Sequence, residues 1–172
     1  MPLKSLRAWL GVEKPEQPEF APLRDTLEAL DHLEPQRAKY LAGFAYLLGR
    51  VAHADRHISA EETRAMETLV QEHGQLSADQ AMVVVQLAKS ANLLFSGTAN
   101  FMVAREFSTL ASYDDKLALL RCLFAVSATD DAISTLEESE IHAVAKELRI
   151  DAPDLVALRV EYQRHLPGIA RE

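Results

Sequence analysis

One twelve-residue phrase occurs twice in this chain, and the repetition limits what the chain can fold into. Val51 to Glu62 reads V-A-H-A-D-R-H-I-S-A-E-E, and Val126 to Glu137 reads V-S-A-T-D-D-A-I-S-T-L-E. Val51, Asp55, Ile58, Ser59 and Glu62 each meet an identical residue 75 positions on, and Leu48 meets Leu123 in the same register. A window this short gives roughly one identity by chance at average composition. The likeness continues in kind outside the window. Phe44 and Leu47 correspond to Leu119 and Cys122; Met66, Leu69 and Val70 correspond to Ile141, Val144 and Ala145. The pattern reads as an internal duplication.

Each copy reads as helix, tight loop, helix. Phe44, Leu47, Leu48, Val51 and Ala54 step by three and four, as one apolar helix face does. The helix is expected to stop near Asp55. Ser59-Ala60-Glu61-Glu62 and Ser134-Thr135-Leu136-Glu137 then match S-x-x-E. In that capping box the serine oxygen accepts the N3 amide, and the glutamate accepts the serine amide. Ile58 and Ile133 precede the caps, but the N4 residues are Thr63 and Glu138, so no hydrophobic staple forms. The isoleucines are expected to tuck between the helices instead.

The totals agree with a helical reading. A chain of 172 residues, 48% of them hydrophobic, suits one domain with a sizeable core. No stretch alternates apolar and polar residues at strand period over a convincing length. The expected class is all-α: a single helical domain of about seven to eight helices with two helix-loop-helix pseudo-repeats. Formal charge is −8, and Lys and Arg are scattered, which argues against nucleic acid as a partner. The lone cysteine, Cys122, excludes a disulfide framework and a cysteine metal site, and its apolar flanks suit a buried small hydrophobe. No ordinary signal peptide and no stretch of ~20 apolar residues is present, so a cytoplasmic location is the default.

In chain order, residues 1–21 read as an N-terminal tail and Pro-rich linker, and 22–172 as the helical body. Leu3, Leu6, Trp9 and Leu10 share a face over one or two helical turns, and Glu13 to Pro22 reads as extended. Helices are expected over Leu23–Leu33, from Pro35 to about Ala54, and from Ser59 to Gly74, with Gly74 as the left-handed C′ residue. Further helices run from Ser77 or Asp79 to about Phe95, over Asn100–Leu110, from Ser112 or Asp114 to Ala128, and from Ser134 to Arg149. A last one runs from Asp151 to just before Pro167. Gly97 breaks the chain.

Chemistry concentrates at Asp55 and Asp130. Each carboxylate ends a helix, where the macrodipole is negative and an anion costs a few tenths to ~1 kcal/mol. A local rule broken in both copies calls for compensation. One form is an Asx turn, with the Asp oxygen accepting an amide two residues on. The other is a cation: Asp55 with Glu61 or Glu62, and Asp130 with Asp131 and Glu137 or Glu138, are hard oxygen donors suited to Ca²⁺, Mg²⁺ or Mn²⁺. These are not EF-hand loops, because the twelfth residue from each Asp is Met66 or Ile141 rather than Glu. His53 and His57 lack a continuous helix to place them on one face for Zn²⁺. No phosphate-binding loop, nucleophile elbow, H-E-x-x-H or C-x-x-C occurs. A carboxylate-bridged metal enzyme needs Glu-x-x-His, but Glu138 is followed at that spacing by Ile141 and Glu140 by Ala143.

At these residues the chain resembles the TerB-like family, which covers the tellurite-resistance protein TerB and the N-terminal domain of the DjlA co-chaperone. R-V-A-H-A-D-R-H-I-S-A-E-E and V-S-A-T-D-D-A-I-S-T-L-E-E carry the resemblance, over about Tyr40 to Tyr162. It implies an all-helical, non-enzymatic module in tellurite or stress response, or in an envelope-associated complex, with protein partners and a cytoplasmic or peripheral inner-membrane place. It also implies a divalent-cation site of Asp55, Glu62, Asp130 and Glu137. Arg56 and Asp131 stand where the family pattern A-D-G has glycine, and arginine tolerates a left-handed backbone less well than aspartate. The alternative reading is a pure protein–protein interaction domain in which the acidic loops are structural.

Overall fold

Helix α2 spans Pro35–Ala52 and buries residues around most of its circumference, including the unbroken run from Tyr40 to Gly49. An element apolar all round has to be enclosed by others, and here it is. A computed structural model describes residues 18, 21, 24–52, 60–90, 99–130 and 132–166, the side chains of 99–102 and 130 excepted. Eight α-helices and no strand occur among them. They are α1 Arg24–Asp31, α2, α3 Ala60–Gly74, α4 Ala78–Lys89, α5 Ala99–Leu110, α6 Tyr113–Ser127, α7 Thr135–Glu147 and α8 Ala152–Glu161. Single 3-10 turns follow α6, at Ala128–Asp130, and α8, at Gln163–His165. The all-α class is thus the observed one. Expectations on residues 3–10, on nearly all of 13–22, on 53–59 and on the break at Gly97 lie outside the described residues.

Helix α2 packs against α4, α5, α6 and α7, while α3 packs against α4 and α6. The second helix of each sequence copy therefore lies against the first helix of the other: α3 on α6, and α7 on α2. The contact of α2 with α5 is built on aromatic rings. Tyr40, Phe44 and Phe107 form an aromatic cluster with centroids 5.2 to 6.4 Å apart. Phe107 lies so near α2 that a Cβ on Gly43 would stand 2.9 Å from its ring. Burial raises the Tyr40 hydroxyl to about 12, with Asp115 adding to the effect.

Gly74 serves packing rather than a turn. The left-handed residue after α3 is Gln75, at φ 59°. Gly74 is the last residue of α3, and a Cβ there would meet the Phe44 ring at 3.0 Å and Cys122 Sγ at 3.3 Å. The periodicity extended the helix to the right residue, but nothing local could say that a ring and a thiol would close on it. Cys122 is fully buried, donates to the Leu69 carbonyl at 3.7 Å, and burial pushes its thiol up to about 12. It is the inert core residue its flanks suggest.

Other boundaries differ modestly. Helix α4 ends at Lys89, capped by Ser90, rather than near Phe95. The three valines at 83–85 are helical because Val84 and Val85 are wholly buried there, which overrides their β preference. Helix α7 stops at Glu147, with Arg149 left-handed beyond it, and α8 stops at Glu161 before its 3-10 turn.

Gly43→Ala should destabilise the fold. Alanine's helix preference is worth about 1 kcal/mol, but displacing Phe107 from a packed aromatic cluster costs typically 1–3 kcal/mol. Urea denaturation should give a lower midpoint for the variant; an unchanged or higher one would refute the close-approach argument.

Candidate functional site

The hinge between α6 and α7 carries the second acidic phrase. Helix α6 ends at Ser127 and the 3-10 turn runs through Asp130. Ser134 then caps α7 as its sequence demands. Its Oγ accepts the Glu137 amide at 3.0 Å, and Glu137 Oε1 accepts the Ser134 amide at 2.9 Å. Both halves of the capping box are present. Glu137 is only 6% exposed, so its carboxylate is chiefly a buried structural group. A second box, not read in the sequence because aspartate replaces glutamate, joins Ser112 and Asp115 at the start of α6.

Ile133 is buried as expected, 1% exposed, and is pinned from outside the hinge: its amide donates to the His165 carbonyl at 2.6 Å. Arg159 Nε donates to Glu138 Oε1 at 2.6 Å, and His142 Nε2 lies 3.6 Å from the same oxygen. Helix α8 and the turn after it thus clamp the hinge. Ser127 Oγ is buried there without a hydrogen-bond partner among the described residues. A buried hydroxyl with no partner costs on the order of 1–3 kcal/mol.

Of the four predicted ligands, Glu137 is placed in full and Glu62 sits half-buried in the first turn of α3. Asp55 and the Asp130 side chain lie outside the described residues, as do His53, His57 and Asp131. Among the described residues no three His, Cys, Asp or Glu side chains come together as a metal ion requires. No helix among them is long and apolar enough to cross a membrane.

A basic side chain overlooked in the sequence braces the other end of α7. Arg50 on α2 donates from Nε to Glu140 and from Nη1 to Glu147, each at 2.9 Å. Its guanidinium also lies 6.0 Å from the centre of the Tyr46 ring. Burial disfavours its charge, but the two carboxylates outweigh that and raise its pKa. Partners so far away in the chain leave no periodic signal by which to find them.

These features define a class: an all-helical domain in which α4, α5, α6 and α7 pack around the core helix α2. The particular family follows from comparison. The sequence model of the family described as tellurite resistance protein TerB matches residues 41–160, so the chain belongs to the TerB family. Searches of curated proteins and of solved structures find no significant match.

Ser134→Ala removes one half of the α7 box and should cost about 0.5–2 kcal/mol. Ser134→Thr should retain most of that stability. Equal thermal midpoints for wild type and Ser134→Ala would show that the cap is not holding the hinge.

Proposed function

We propose that this TerB-family chain is a non-enzymatic helical module of tellurite or stress response. It binds a divalent cation, Ca²⁺, Mg²⁺ or Mn²⁺, through Asp55, Glu62, Asp130 and Glu137, and presents its helices to a protein partner in an envelope-associated assembly. Its working place is the cytoplasm or the inner face of the membrane. The observation that carries the reading is the acidic phrase D-x-x-I-S-x-x-E, present twice at one spacing in a chain of this family. Hard carboxylate donors at helix ends suit such ions. The buried Ser127 hydroxyl beside the second hinge, without a hydrogen-bond partner among the described residues, adds an oxygen.

A second reading, a protein–protein interaction domain with purely structural hinges, is favoured by the burial of Glu137 and the engagement of its Oε1 in the cap. Exposed Leu136 at the start of α7, and Val156 and Val160 one turn apart on α8, give such a domain apolar contact points.

Calorimetric titration separates the two. Wild type should release or absorb heat with at least one of Ca²⁺, Mg²⁺ and Mn²⁺, and Asp130→Ala should bind at least about tenfold more weakly, roughly 1.4 kcal/mol. No heat from any of the ions would remove the cation and leave the interaction domain. That domain would also be favoured by a partner still captured after Asp55→Ala and Asp130→Ala.

A further inference from the structure

The chain carries net charge −8, yet one cleft on its surface is lined by basic groups drawn from four helical segments. The cleft has a volume of about 790 Å³ and is bordered by Arg50 from α2, Arg105 from α5, Lys116 from α6 and Arg149 just beyond α7. Its acidic member is Glu147, and that carboxylate is bound to Arg50 Nη1. Arg50 is thereby neutralised, with Glu140 as its second partner. Arg105, Lys116 and Arg149 make no ion pair with any described residue. Three like charges facing one concavity repel one another unless an anion joins them.

Two local details strengthen the case. Arg149 adopts φ 58° at the C′ position of α7. Its amide donates to Lys146 and the Ile150 amide donates to Ala145, which is the complete Schellman pattern. Glycine fits that backbone without strain, whereas a side chain there is unfavourable. The α7 dipole welcomes a cation at its C-terminal end, but the side chain also lines the cleft. Lys116 lies in the first turns of α6, where the dipole disfavours a cation, and it is half-buried. Ser108 contributes a hydroxyl to the wall, while the neighbouring Thr109 hydroxyl is committed to the Arg105 carbonyl at 3.2 Å.

We infer that this cleft is a binding site for the phosphate group of a small soluble molecule, held by Arg105, Lys116 and Arg149 with Ser108 as a neutral donor. Guanidinium groups match phosphate oxygens in pairs, and the ammonium adds a point charge. The volume lies in the range of small-molecule sites. The overall negative charge turns away nucleic acid, so the occupant is compact and multiply charged rather than polymeric. The site is separate from the acidic hinges and does not depend on a cation there.

The test is titration of the full chain with pyrophosphate in low-salt buffer, followed by calorimetry and amide NMR. Pyrophosphate should shift amides of α5, of the start of α6 and of the end of α7. The affinity should fall as sodium chloride is added. Arg105→Ala and Lys116→Ala should each weaken binding by about tenfold, since a hydrogen bond to a charged group is worth that much. Arg149→Gly should weaken binding to a similar degree while its thermal midpoint stays level or rises, which loss of a structural residue would not do. Absence of pyrophosphate binding, or binding unchanged in all three variants, overturns the inference. So does a protein that sediments with phosphatidylglycerol vesicles while ignoring pyrophosphate, because the cleft would then serve a membrane surface.

Discussion

Enclosing α2 is the constraint on which the other helices depend. Its buried run from Tyr40 to Gly49 has no face to give to water, so neighbours must cover it from several directions. Burial of side chains this size is worth roughly 1.5–3 kcal/mol each relative to exposure, which makes this helix the chief source of cohesion. Its position also fixes the crowded points. Phe107 closes on Gly43, and Phe44 and Cys122 close on Gly74. Small residues there let Phe107 of α5 close on α2, and α3 close on Phe44 and Cys122.

The cross-packing of the two helix pairs follows from the same need. Helix α3 rests on α6, and α7 rests on both α2 and α6, so the two pairs interlock. Polar links then select the arrangement at its edges. Arg50 ties α2 to α7 through Glu140 and Glu147, Lys39 ties α2 to α5 through Glu106 at 2.9 Å, and Arg159 ties α8 to α7 through Glu138. Tyr113 joins the start of α6 to that of α8, donating to Asp154 at 2.6 Å and accepting the Asp151 amide at 3.0 Å. Exposed pairs of this kind add little stability one by one. The half-buried Arg50 is different in holding two carboxylates of α7 at once.

The second hinge was legible because its determinants are local. Ser134 and Glu137 are three residues apart, and their mutual hydrogen bonds require only that a helix begin between them. Ile133 was equally readable as a buried residue. What holds it was not: the His165 carbonyl comes from a turn beyond α8. The basic cleft shows the opposite limit. Arg50, Arg105, Lys116 and Arg149 are dispersed along the chain and look like scattered solvated charges, and only the packing of α2, α5, α6 and α7 brings them to one concavity.

The sequence by itself determined the helical class, the starts of the capped helices, the buried cysteine and the membership suggested by its acidic phrase. Each of these rests on interactions within a few residues or on a period of 3.6. Tertiary structure alone decided that Gly74 is a packing glycine, that Gln75 takes the left-handed turn, that Arg50 sits half-buried between two glutamates, and that three cations share a cleft. Those outcomes depend on which helix faces meet, and contacts between distant helices leave no period in the chain that encodes them.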